Sequence, residues 1–345
     1  MMRHHVQERR FVGAIAVALA LAWTTFLFGR GGVQGDGKEP ARRFSEELVY
    51  ARSEDDITNG GAFFAPPKQS ARPVAVIWIH GWGVNFYYPT YVKTGRALAE
   101  RGYPCITANT RMHDLGTVAG FRGEKRIRGG CYWGVPSEEM RDLAAWINFA
   151  KDRGFKEVVL VGHSAGATAV RAYQSEKQDP RVVGLVLASG GVRPFNEKPD
   201  PQLLTQATKL VADGRGDDLL RFPTKHRPYP SFVSAATYLD GAKMAPEQKD
   251  FFGVETPRPA VQRVRCPILA FFGTKGDVGT EADLKLLKTC VKRQPIGPSR
   301  ADTVMIRNAD HIYQGEEAQV AETIAKWADT LAQPGARKGD APDKP

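Results

Sequence analysis

The chain predicts an α/β protein built on a mostly parallel sheet. Three observations carry this. Short apolar runs recur without polar alternation, as in Val74-Ala75-Val76-Ile77-Trp78-Ile79, Val158-Val159-Leu160-Val161 and Val182-Val183-Gly184-Leu185-Val186-Leu187. Stretches with helical patterning separate them. Strands buried on both faces read this way, because helices cover both sides of the sheet. The third observation is Gly162-His163-Ser164-Ala165-Gly166, which stops one apolar run and is followed by Ala167-Thr168-Ala169-Val170-Arg171-Ala172. That is strand, sharp turn, helix.

The 345 residues are 42% hydrophobic and 25% charged, an ordinary globular composition long enough for one large domain with an insertion. The first 28 residues read as a targeting segment. Arg3, Arg9 and Arg10 precede an uncharged run from Phe11 to Phe28, and a polar glycine-rich stretch follows. Export to the periplasm or medium is expected, residues 1–28 being either a signal peptide or an uncleaved membrane anchor through 11–28. A buried first helix of the domain is the alternative reading. Without those residues the chain carries 45 basic against 37 acidic groups, spread along its length with no aromatic-interleaved basic stripe. Nucleic acid is therefore not an expected partner.

Residues 29–44 read as a linker. An edge strand or two is expected between 45 and 73, around Leu48-Val49-Tyr50-Ala51. The first strong strand, 74–79, runs into His80-Gly81-Trp82-Gly83; a helix over about 91–101 and a strand at 104–108 follow. Residues 111–136 are rich in glycine and arginine and are expected as a connector. Ser137 is the expected N-cap of a helix reaching about Lys151. The strand at 157–163 carries the turn, and 182–187 is the next strand. Residues 192–262 break the rhythm with prolines and with weak helical stretches near 202–213 and 231–240, and read as a lid insertion. Regularity returns with a strand at 267–272, a helix at 281–292, a strand at 303–306 and a closing helix at 315–332. Residues 333–345 read as a disordered tail.

The chemistry follows from the turn. A serine hydroxyl is a weak nucleophile that must be held exposed at the edge of a rigid sheet, and Gly162 and Gly166 let strand and helix approach around it. Ser164 is thus the candidate nucleophile, with the start of the following helix aimed at developing negative charge. A base is needed downstream at a strand's carboxyl end. His311, after the strand at 303–306, suits this better than His226 in the insertion. For the acid, Asp277 leaves the strand at 267–272 in Phe272-Gly273-Thr274-Lys275-Gly276-Asp277 and would orient the imidazole. Asp310 would more naturally cap its own turn, Asp240 sits in the insertion, and Glu281 and Asp283 are held in reserve. Two backbone amides would hold an oxyanion: Ala165, and Trp82 with Gly83 in reserve. His80 would brace that loop. A solvated-turn role for Asp277 and a packed surface role for His311 remain the plain alternatives.

Cys105, Cys131, Cys266 and Cys290 would be allowed to pair in an oxidising compartment, but spacing chooses none of the three full connectivities, and buried thiols are as reasonable for Cys105 and Cys266. No Cys-x-x-Cys or His-x-x-x-His occurs, so no metal is expected.

His80-Gly81-Trp82-Gly83, Gly162-x-Ser164-x-Gly166, Phe272-Gly273-x-x-Gly276-Asp277 and Asp310-His311 together resemble the α/β-hydrolase family, in the order Ser, Asp, His. The resemblance covers roughly residues 45–332. It implies an eight-stranded, mostly parallel sheet, an acyl-enzyme route, a small-molecule ester substrate and no cofactor. Asn109-Thr110-Arg111-Met112-His113-Asp114 is similar to a loop of an uncharacterised branch of the family. The His-Gly-Trp-Gly loop departs from the His-Gly-Gly-Gly of many lipases. An acyltransferase using the same three residues, or a non-catalytic binding protein on the same fold, stay open as alternatives.

Overall fold

The computed structural model describes residues 44–122, 124–191, 198–222, 231–293 and 297–331. In chain order the strands are β1 (Ser45–Arg52), β2 (Thr58–Ala65), β3 (Val74–Ile79), β4 (Cys105–Ala108), β5 (Thr117–Arg122), β6 (Lys125–Gly129), β7 (Glu157–His163), β8 (Val182–Ala188), β9 (Leu219–Phe222), β10 (Ser231–Ser234), β11 (Ile268–Gly273) and β12 (Ala301–Ile306). The helices are α1 (Pro89–Glu100), α2 (Glu139–Asp152), α3 (Ala165–Lys177), α4 (Pro201–Ala212), α5 (Ala235–Lys243), α6 (Pro246–Lys249), α7 (Glu281–Lys292) and α8 (Glu317–Asp329).

Eight strands form one sheet in the order β1-β2-β4-β3-β7-β8-β11-β12. From β4 to β12 every pairing is parallel; β2 runs antiparallel to both its neighbours. The unbroken apolar runs have a direct cause. Ala75, Ile77 and Ile79 of β3 face one core with Leu143, Trp146, Ala167 and Val170, from α2 and α3. Val74, Val76 and Trp78 face the other with Tyr91, Leu98, Val320 and Ile324, from α1 and α8. Because strand side chains alternate between faces, both sets must be apolar. β3 and β7 lie side by side where the strand order reverses, so their carboxyl ends open into a crevice suited to a ligand.

Three expectations are corrected. Ser137 does not cap α2: Pro136–Glu138 forms a short 3₁₀ turn, Glu138 occupies the cap position, and the Ser137 hydroxyl donates to Asp240 instead (2.6 Å). The connector at 111–136 contains a hairpin, β5–β6. Residues 231–234 are strand rather than helix, with Ser234 capping α5. Of the alternatives left open for the cysteines, all four are buried free thiols: Cys105, Cys266 and Cys290 lie within the hydrophobic cores, and the Cys131 Sγ meets the Gly83 amide and the Met112 carbonyl.

Within the insertion, Ala207, Leu220, Ala235 and Leu239 form a small core of their own between α4, β9 and α5. It is tied to the connector by the Trp133 indole N–H donating to the Asp217 carbonyl (2.9 Å) and the Ser234 amide donating to the Tyr132 carbonyl (2.6 Å). Residues 1–43 and 332–345, and with them the targeting segment and tail, lie outside the described residues, as do His226, Lys225, Arg227 and Tyr229. Among the described residues no helix is long and apolar enough to cross a membrane.

Candidate active site

The turn between β7 and α3 sets the geometry. Ser164 has φ 54° and ψ −116°, a region costly for a residue with a side chain, typically by about 1–3 kcal/mol. The flanking glycines make it possible. A Cβ on Gly162 would lie 2.2 Å from the Gly166 carbonyl oxygen, and one on Gly166 would lie 2.4 Å from the His80 carbonyl oxygen. Helix α3 therefore packs directly on the end of β3, bringing the His80-Gly81-Trp82 loop to the serine. A Cβ on Gly81 would stand 3.2 Å from the Ser164 Cβ.

His311 Nε2 lies 3.2 Å from Ser164 Oγ, and His311 Nδ1 lies 2.8 Å from Asp277 Oδ1. With Nδ1–H donating to the carboxylate, Nε2 is left as an acceptor facing the hydroxyl. The Asp277 side chain is fully buried, while that of His311 stays 31% exposed. Burial pushes the Asp277 pKa up, but hydrogen bonds from His311, Ser189 and the Gly273 and Val278 amides outweigh it and hold the carboxyl below its ordinary value. The carboxylate is thereby kept ionised and its orientation fixed.

The other carboxylates are otherwise engaged. Asp310 accepts the Ile312 and Gln314 amides, as its place beside the histidine suggests. Asp283 completes a capping box with Thr280, Glu281 pairs with Lys285, and Asp240 holds Ser137. Ala165 is the first residue of α3, where a backbone N–H has no intrahelical partner. Trp82 follows Gly81 on the loop that touches Ser164. Gly83, the reserve, has its N–H directed at Cys131 Sγ (2.9 Å). His80 is buried, and burial pushes its pKa down to about 4. Its Nδ1 lies 2.8 Å from the Gly81 carbonyl and its Nε2 accepts the Thr110 amide (3.2 Å), so the neutral ring ties the loop to β4's end.

Sequence reasoning overlooked four side chains that support these groups. Ser189 donates to Asp277 Oδ2 and also meets the Tyr313 hydroxyl. Tyr91 and His163 are hydrogen-bonded to each other beneath the turn. Ser189 was the findable one, since it directly follows β8 at the sheet's carboxyl edge, where partners of the site must sit. Among the described residues no group of three or more His, Cys, Asp or Glu side chains is placed to hold a metal ion.

A sequence profile of the alpha/beta hydrolase fold matches residues 74–269, more than half of the chain. The chain belongs to the alpha/beta hydrolase family. Solved structures agree on the fold. Est1E from Butyrivibrio proteoclasticus, with ferulic acid bound, is 15% identical, with 82% of this chain and 98% of that one covered at a TM-score of 0.56. The esterase domain of a Rhodothermus marinus protein is 14% identical over 83% of this chain and 98% of that one, at 0.51. DcsB in complex with its substrate analogue is 13% identical over 84% and 100%, at 0.60. No curated protein matches the chain in sequence.

Proposed function

We propose that the chain is a serine esterase acting on small carboxylic esters through an acyl-enzyme. The observation that carries this reading is the continuous run from Ser164 Oγ to His311 to the buried Asp277 carboxylate. The names of the Butyrivibrio and Rhodothermus proteins similar in fold support an ester as the substrate class.

In this reading the Ser164 oxygen attacks the ester carbonyl carbon while its proton passes to His311 Nε2. The Trp82 and Ala165 amides stabilise the charge gathered on the carbonyl oxygen, and Asp277 stabilises the imidazolium. The alcohol departs with the proton held by His311. Water then adds to the acyl carbon by the same route, and the acid leaves Ser164. In this reading the insertion at 192–262 serves as a lid, with Phe232 and Tyr238 among its aromatic residues. Residues 1–28 direct export or tether the chain to a membrane.

The test is labelling with a fluorophosphonate beside hydrolysis of p-nitrophenyl esters of graded chain length. Wild type should take one label, and Ser164→Ala none, with turnover down at least about ten-thousand-fold. A folded wild type that neither labels nor hydrolyses any ester would overturn the reading.

A further inference from the structure

His163 and Tyr91 are buried ionisable groups without a part in the chemistry above, yet both stand against it. The His163 ring lies 5.0 Å from that of His311 and 5.5 Å from those of Tyr91 and Tyr313, centroid to centroid. Its Nε2 is 2.8 Å from the main-chain carbonyl of His311, the residue that would act as base. Its Nδ1 is 2.7 Å from the Tyr91 hydroxyl, which is 3.0 Å from the Gly81 amide.

Donor and acceptor chemistry allows these contacts only one direction. A carbonyl can only accept, so His163 Nε2 carries the hydrogen. Burial first, and then the neighbouring His311, push the His163 pKa down to about 4, which keeps the ring neutral and leaves Nδ1 as an acceptor. Tyr91 must donate to it, and its oxygen accepts the Gly81 N–H. The run is then Gly81 N–H to Tyr91 O–H to His163 Nδ1, and His163 Nε2–H to the His311 carbonyl. One end is the residue before Trp82. The other is the backbone of the base. The middle is the residue before Ser164.

We propose that Tyr91 and His163 are positioning residues, whose one-way run of hydrogen bonds sets the oxyanion loop and the base loop in register about Ser164. The proposal rests on the esterase reading and adds to it the means by which the two loops are held. It also accounts for the Gly81 amide: taken by Tyr91, it is not an oxyanion donor. A loop displaced by about 1 Å can cost around a hundredfold in turnover, because amides and base must meet the transition state in fixed geometry.

The experiment compares wild type, Tyr91→Phe, His163→Leu and His163→Gln. Active serines are counted first by fluorophosphonate titration, and kcat and KM for a p-nitrophenyl ester are expressed per titrated serine. Tyr91→Phe and His163→Leu should each lower kcat about 10- to 100-fold, with KM held within about twofold, since the interactions lost matter in the transition state. His163→Gln keeps an N–H for the His311 carbonyl and an oxygen for Tyr91, and should recover most of the loss. Tyr91→Phe removes a single oxygen, so it serves even where His163→Leu fails to fold. Rates per titrated serine equal to wild type in Tyr91→Phe, or losses that track only the folded fraction, overturn the positioning role while leaving the esterase reading intact. A wild type without label overturns that reading and this one together.

Discussion

Two clusters of buried polar groups lie under the same edge of the sheet and are satisfied in opposite ways. Around the nucleophile turn the partners are neutral: His80 and His163 are both pushed down to about 4 by burial, and their ring nitrogens meet amides, carbonyls and a phenol. In the connector the partners carry full charge. Arg111 is 2% exposed; its amide and Nε both reach Asp142 Oδ2, its Nη2 reaches Asp142 Oδ1, and its Nη1 and Nη2 reach Asp55 at 2.9 and 3.0 Å. The difference teaches where each kind of bonding is useful. Neutral partners add no net charge beside the candidate catalytic groups, whereas full charges fix the connector against α2. Glu139 joins the two, accepting the Thr110 hydroxyl (2.6 Å) beside His80, with its pKa raised by burial to about 7.

The sharpest way to break the comparison is to remove a charge. Asp142→Ala leaves the buried Arg111 guanidinium without two of its hydrogen bonds, and the Arg111 amide without its acceptor, and should cost about 3–5 kcal/mol of stability, read from urea unfolding midpoints. Ser164→Ala, by contrast, should leave the midpoint almost unmoved while abolishing turnover. A loss below about 1 kcal/mol for Asp142→Ala would mean that the connector is held by packing rather than by its charges.

A smaller effect comes from acid, which attacks the neutral cluster. Both histidines have folded pKa values below the unfolded value of 6.5, so between about pH 6.5 and 4 the unfolded chain binds more protons and stability falls as pH falls. Glu139 acts in the opposite sense, its raised pKa favouring the folded state below about 7 and less so as pH rises through it. Two groups against one leave a net loss of about 2–3 kcal/mol at about pH 4.5 relative to pH 7. Urea midpoints that are equal at the two pH values, or higher at the lower one, would show that these histidines do not need to be neutral.

The same contrast explains what could be read in advance. β3, β7, β8 and β11 were legible because burial on both faces demands unbroken apolar runs, and α7 because Thr280 opens it with a capping box and its apolar side follows the helical period. The β5–β6 hairpin was not, since its half-exposed strands carry Arg122, Lys125, Arg126 and Arg128 and make no apolar run. Ser137 misled for a related reason: its hydroxyl was claimed by Asp240, 103 residues away, which no local pattern reveals. At the candidate site, the meeting of Ser164, Asp277 and His311 could be anticipated because each stands just past a strand, in the order that the proposed chemistry requires. Tyr91 and Tyr313 were not, since their partners lie 72 and 124 residues away in the chain.

The finest probe of the comparison is Ser189, which belongs to the neutral cluster yet touches a charge. It follows β8 with φ 49°, donates to Asp277 Oδ2 and meets the Tyr313 hydroxyl, itself buried with its pKa raised well above the ordinary value by that burial. Ser189→Ala would remove one of four donors to the carboxylate and leave the Tyr313 hydroxyl without this partner. Asp277 would keep His311 and the Gly273 and Val278 amides, so the imidazole should stay oriented. The expected loss is about tenfold in kcat per titrated serine and about 1 kcal/mol in stability, the ordinary worth of one buried hydrogen bond. An unchanged kcat would mean that the two amides and His311 fix Asp277 unaided. A loss as deep as that of Ser164→Ala would give Ser189 a direct part in the reaction, and the division between neutral support and reacting groups would have to be redrawn at β8.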